Sequence, residues 1–178
     1  MAQPPGQSVL ATQAFIPAPG QAFSIDLDSP AGRFSQWLHE DVTTLTSLRA
    51  VVRVLTLRKD TRWRPAFTIC LESSDDESLQ NSLCLQLAAL DQKPPLTIRL
   101  VGSLNGEPIE ETGLRTTLKL NEALKIDMGW RTPQVIMIRV GDAEALNVKV
   151  PWSVSKMRIT GSTGEMVVKP LVFGGIAP

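Results

Sequence analysis

A two-residue alternation of apolar and polar side chains, broken by turn residues at intervals of roughly 8–14 residues, constrains this chain to sheet structure. The rhythm is clearest over 118–173. In LKLNEALKIDMGW the apolar residues Leu118, Leu120, Leu124, Ile126, Met128 and Trp130 occupy even positions, with Lys119, Lys125 and Asp127 between them. Successive side chains of a strand point to opposite faces, so this spacing buries one face and wets the other. Pro133 cannot donate to a ladder, which predicts that the strand stops after Trp130. The nearly all-apolar run VIMIRV, Val135 to Val140, is expected to be a central strand covered on both faces. Gly141-Asp142 carries turn chemistry, and Leu146, Val148 and Val150 alternate with Asn147 and Lys149 to complete a hairpin. Met157 and Ile159 mark a further strand and 161–164 a turn. The last strand, 166–173, holds Pro170, which assigns it to an edge or a bulge.

The earlier part of the chain follows the same pattern. Residues 1–20, with four prolines and little periodicity, are expected to be a flexible lead-in to a single β-sandwich domain spanning 21–178. Phe23, Ile25 and Leu27 form a short strand that Ser29-Pro30-Ala31-Gly32 should stop. Residues 33–46 follow neither the helical nor the strand period. The run 47–58 is rich in β-branched residues, and 63–72 is expected to return beside it as a hairpin partner, with Trp63 sharing the parity of Phe67 and hence facing the core. Residues 83–89 and 96–101 are two more strands, and Asn105-Gly106 is a strong hairpin turn. Strands at this spacing with almost no helical periodicity predict an all-β, antiparallel two-sheet sandwich with little helix.

The succession over 118–173 carries a resemblance: a strand ending in Trp130, an apolar strand, the Gly141-Asp142 turn, Val148-Lys149-Val150 and Pro151, Met157-Arg158-Ile159, Ser162-Thr163-Gly164-Glu165 and a closing strand. It resembles the C-terminal half of a concanavalin A-like jelly roll of the lectin or laminin-G-like kind. The resemblance implies a non-catalytic, lectin-like module that binds carbohydrate or another polar ligand. A structural or protein-interaction subunit of a homo-oligomer or larger assembly is the alternative reading, and a glycoside hydrolase the third.

Several function classes recede on composition. Lys and Arg total 18 and so do Asp and Glu, giving a formal net charge of zero; a general attraction to nucleic acid or anionic membrane is not expected, although a local basic patch is compatible with that balance. No apolar run approaches the roughly 18 residues of a membrane span, and the start lacks a secretory pattern, so a cytoplasmic protein is expected. Cys70 and Cys84 fall directly opposite each other if Glu72 faces Ser82 in a hairpin. A reduced, partly buried cross-strand pair is expected, since a disulfide would need an oxidising compartment and suitable geometry.

No cofactor or metal site is expected. Carboxylates at Glu72, Asp75, Asp76 and Glu77, at Glu110 and Glu111, and at Asp142 and Glu144 sit in or beside turns rather than alternating along one strand, as paired glycosidase carboxylates would. The sole histidine, His39, beside Glu40 and Asp41, reads as a polar surface. Tryptophan offers an apolar body with a polar edge, and Trp130 and Trp152 each abut a turn. With Arg131 they form the candidate ligand-binding set, Trp130, Arg131 and Trp152.

Overall fold

The computed structural model describes residues 11–13, 18–73, 81–109, 112–130 and 134–175. Its strands in chain order are β1 (Ala11–Gln13), β2 (Ala22–His39), β3 (Leu45–Leu57), β4 (Ala66–Glu72), β5 (Ser82–Ala88) and β6 (Leu96–Leu104), followed by β7 (Glu107–Pro108), β8 (Thr112–Leu118), β9 (Leu124–Gly129), β10 (Val135–Val140), β11 (Leu146–Lys149) and β12 (Lys156–Gly175). No helix occurs among the described residues.

Two long strands organise the rest. β12 runs antiparallel to β2 from Met157 opposite His39 to Val172 opposite Ala22, with a register shift between Ser162 and Gly164. Below that shift β12 pairs with β4, and above it with β3. One curled sheet is thereby split into two layers. The first layer contains β1, residues 34–39 of β2, residues 156–162 of β12, then β4, β5, β6 and, beside β6, β7 and β8. The second contains residues 22–29 of β2, residues 164–175 of β12, then β3, β9, β10 and β11. This is the expected all-β antiparallel sandwich. Residues 11–13 of the expected lead-in run parallel to β2, with Ala11 opposite Gln36.

The facing sides of the layers hold the core. Phe67, Ile69, Leu71, Leu83, Leu85 and Leu87 from the first layer join Ile126, Met128, Ile136, Ile138, Met166 and Val168 from the second in one apolar cluster. Trp37 stacks on Phe173 across the layers at 6.1 Å between ring centroids. Where the strands pass between layers the backbones come close. A Cβ on Gly164 would lie 2.6 Å from the Thr56 carbonyl oxygen, and one on Gly161 would lie 2.9 Å from Phe67 Cδ1. Glycine is therefore required there by space.

Several elements differ from their sequence reading, each for a reason of pairing. Residues 161–164 do not turn the chain back; they bend one continuous strand. Pro170 does sit at a bulge, between Val168 and Leu171, but β12 is central and not an edge. β10 is covered on one face only, with Arg139 exposed. Residues 118–130 hold two strands, because Asn121 takes a positive φ of 62° between β8 and β9. β4 pairs with β12 and β5 rather than returning beside β3. Trp63 lies outside any strand and is exposed, because Asp60 accepts the backbone N–H groups of Arg62 and Trp63 and curls the chain before β4 begins.

The cysteine register follows the sequence, with Glu72 facing Ser82 and Cys70 facing Cys84, but the two sulfurs are bonded rather than reduced as expected. The disulfide closes a loop between residues 14 apart, for which chain entropy gives about 3 kcal/mol. Replacing both cysteines by alanine should lower unfolding free energy by roughly 2–4 kcal/mol in denaturant titrations. Gly164→Ala should cost about 1–3 kcal/mol by overpacking against a backbone carbonyl that cannot swing aside, read as a lower urea midpoint with an unchanged slope.

Candidate functional site

The outer face of the second layer carries an open, mixed-charge surface. Val172, Arg49, Asp127 and Arg139 are register partners in a single row across β12, β3, β9 and β10. Neighbours in such a row have Cβ atoms about 4.5–5.5 Å apart, so Asp127 lies between two arginines supplied by the strands on either side. Arg49 and Arg139 are exposed and Asp127 is half-buried. The alternation that buries Ala50, Ile126 and Ile138 on the inner face is what sends these three charged side chains outward.

Two depressions flank this row and share Lys125 and Asp127. The larger, about 810 Å³, is lined by Lys125, Asp127, Arg139, Asn147 and residues 141–145, which include Asp142 and Glu144. The β10–β11 turn forms its rim, held where Gly141 N–H donates to the Lys125 carbonyl at 2.8 Å. The smaller, about 460 Å³, has Val51, Pro170 and Val172 as its apolar floor and Arg49, Lys125 and Asp127 as its polar side. An apolar floor beside convergent hydrogen-bonding groups of both signs suits a ligand with one greasy face and many hydroxyls.

The outer face of the first layer is different in kind. Arg158 donates to Glu72 at 3.0 Å, Thr68 and Thr160 hydroxyls bond each other across β4 and β12, and Arg99 donates to Gln86. The disulfide lies among these pairs. Here polar side chains are spent on one another, holding strands together. Glu72, one of the carboxylates singled out in the sequence, has this structural role.

Of the three nominated ligand residues, Trp152 is 5% exposed and belongs to the apolar core. Trp130 is half-buried against that core, with its backbone N–H donating to Thr46 O. Neither lines the two depressions. Arg131 lies outside the described residues, as do Asp75, Asp76, Glu77, Glu110 and Glu111. Asp142 and Glu144 come to the rim of the larger depression. Arg49, Lys125, Asp127 and Arg139 were not singled out in the sequence; the signal available was their outward parity on apolar strands, which marks a face but not a row. No group of three or more His, Cys, Asp or Glu side chains that could hold a metal occurs among the described residues.

His39 is a second departure from expectation. It lies on the inner side of β2, 5% exposed, with its ring 6.0 Å from that of Trp37 and its Nε2 without a hydrogen-bond partner. Burial pulls its pKa below the usual 6.5, partly offset by the Asp41 carboxylate. A lowered native value means that the unfolded chain binds the proton first as the pH falls, so the folded state loses stability from about pH 6.5 downward, until the native imidazole also titrates. Urea unfolding at pH 7.5 and pH 5 should show this loss in the native chain and its absence in His39→Gln, while the loss from the carboxylates of Asp41 and Asp60, whose values are lowered by hydrogen bonds, begins only below about pH 4.

No protein-family model matches the sequence, and no curated protein matches it. Solved structures do match the fold. A β-glucanase from Bacillus licheniformis superposes with a TM-score of 0.60 at 10% identity, over 87% of this chain and 79% of that one. A Bacteroides ovatus mixed-linkage glucan GH16 in complex with its G4G4G3G product gives 0.56 at 4% identity, over 86% and 81%. Sheep galectin-11 in complex with glycerol gives 0.51 at 8% identity, over 89% and 99%. Likeness at such identities establishes the architecture, a concanavalin A-like jelly roll, and fold alone does not fix function.

Proposed function

We propose that this chain is a non-catalytic carbohydrate-binding module whose ligand lies across the outer face of the second layer, over the Arg49–Asp127–Arg139 row. The single observation that carries the reading is the pair of adjoining depressions with an apolar floor at Val51, Pro170 and Val172 and donors and acceptors converging from β3, β9, β10 and β11. Guanidinium and carboxylate groups held side by side can donate to one sugar hydroxyl and accept from its neighbour, and charge-assisted bonds are the strong ones. The galectin and glucan-enzyme neighbours support a saccharide over other polar ligands, at the level of fold only.

A glycoside hydrolase is the weaker reading. Of the carboxylates that line the depressions, only Asp127 projects from a strand; Asp142 and Glu144 belong to the β10–β11 turn. The disulfide favours an oxidising compartment over the cytoplasm expected from the sequence, and no helix among the described residues is long and apolar enough to cross a membrane.

Screening the chain on a glycan array, followed by titration calorimetry with the best saccharide, tests the site. Asp127→Asn and the double change Arg49→Ala with Arg139→Ala should each weaken binding at least tenfold, about 1.4 kcal/mol, with thermal unfolding little changed, since all three side chains face outward. Trp130→Ala should leave affinity intact. A saccharide bound equally well by the row variants would overturn this site, and one lost only in Trp130→Ala would move it to Trp130.

A further inference from the structure

Among the described residues, two large apolar side chains stand exposed, Trp63 at 45% and Leu90 at 43%, and both occupy the same end of the sandwich. Trp63 is in the β3–β4 loop, 58–65, and Leu90 in the β5–β6 loop, 89–95. The loops are stitched together: Ala89 N–H donates to Pro65 O at 3.0 Å, and Asp60 N–H donates to Gln92 Oε1 at 3.2 Å. The Trp63 backbone is pinned as well, since Asp60 Oδ1 accepts from Arg62 N–H at 2.8 Å and Trp63 N–H at 2.9 Å. A turn pinned in this way presents the indole from a backbone that binding would not have to order.

The charge around these side chains is one-sided. The two loops hold five cations and two carboxylates, in a chain whose formal charge is zero. Arg58 is engaged with Asp28 at 2.7 Å, while Lys59, Arg62, Arg64 and Lys93 are exposed. Asp60, whose carboxyl the Arg62 and Trp63 backbone N–H groups hold below the usual carboxylate range, and the exposed Asp91 stay negative, so four exposed cations stand against two carboxylates. Neither loop contributes to the depressions of the second layer, so the patch is separate from the proposed saccharide site.

We propose that this end of the sandwich docks on an anionic lipid bilayer surface, with Trp63 and Leu90 entering the headgroup region and Arg62, Arg64, Lys59 and Lys93 facing anionic headgroups. The inference goes beyond the saccharide-binding reading and does not rest on it. Indole rings settle at the boundary between headgroups and acyl chains, and basic side chains around an apolar tip are drawn to the negative surface potential of anionic lipid. A bilayer fits better than an anionic chain molecule because the apolar groups sit on loop tips rather than along a floor. Insertion needs projecting side chains, whereas a bound strand needs a groove.

The test is co-sedimentation of the full chain with vesicles of phosphatidylcholine containing 30% phosphatidylserine, against vesicles of phosphatidylcholine alone, with tryptophan emission as a second readout. Trp37 and Trp152 are buried and Trp130 is half-buried, so a blue shift on binding should come from Trp63 and vanish in Trp63→Phe. The expected result is binding to the anionic vesicles at 0.1 M salt, at least tenfold weaker at 0.5 M salt and at least tenfold weaker in Trp63→Ser and in Arg62→Ala with Arg64→Ala. Leu90→Ser provides an independent variant on the second loop, and thermal unfolding of each confirms folding. No binding to anionic vesicles, equal binding to both kinds, or binding to heparin or duplex DNA in their place would overturn the proposal. Saccharide affinity should be unchanged in all these variants, so failure here leaves the reading of the second-layer site untouched.

Discussion

Everything in this molecule depends on one antiparallel pair, β2 against β12, that is long enough to belong to both layers. A strand cannot pass from one layer to the other without changing direction, and a change of direction breaks the ladder unless the backbone can be brought unusually close to its neighbours. Gly161 and Gly164 provide that closeness, with Phe67 filling the space above them. Ser29 reinforces the corner from the β2 side, its hydroxyl donating to Gly161 O at 2.6 Å while its own carbonyl accepts from Arg58. Given this corner, β4 and β3 are forced into different layers although they are consecutive, and the loop that joins them must cross one end of the sandwich. The exposed Trp63 patch follows directly from that crossing.

The alternation of side chains was a faithful record of which faces are buried. It placed Phe67, Ile69 and Leu71 against Leu83, Leu85 and Leu87, and it put Cys70 opposite Cys84, because within one hairpin parity and a single register determine every pair. Partners between distant strands were not legible. Parity cannot distinguish a strand that turns at 161–164 from one that bends there, since both need small residues and polar flanks. Trp63 was misread for a related reason: it has the parity of Phe67, but parity has meaning only inside a strand, and the Asp60 turn ends the extended chain before β4 begins. The outward row was hidden for the same reason of distance. Arg49 and Asp127 are far apart in sequence and become neighbours only through the β3–β9 register.

The two outer faces show how one architecture divides its labour. On the first layer the polar groups are cross-strand pairs, Arg158 with Glu72, Thr68 with Thr160 and Arg99 with Gln86, around a covalent link. Paired groups of this kind add to sheet stability and have part of their bonding capacity committed to one another. On the second layer, a carboxylate between two guanidiniums over an apolar floor keeps acceptors and donors turned toward solvent. The two faces thus differ in how far their polar groups are already engaged, and the jelly-roll outline alone would not separate them.

Net charge conceals this arrangement. A balance of 18 against 18 suggests a surface without long-range preference, yet the charges are sorted by location: intermixed along the Arg49–Asp127–Arg139 row, and predominantly positive at the end where β3 crosses to β4. Around the row the lining charges balance, Arg49, Lys125 and Arg139 against Asp127, Asp142 and Glu144, whereas the net positive charge of the loops acts through a field that salt screens within about 8–10 Å. The row and the loops therefore differ in kind: one sets donors and acceptors of both signs side by side on a sheet face, and the other gathers an excess of positive charge around exposed apolar side chains.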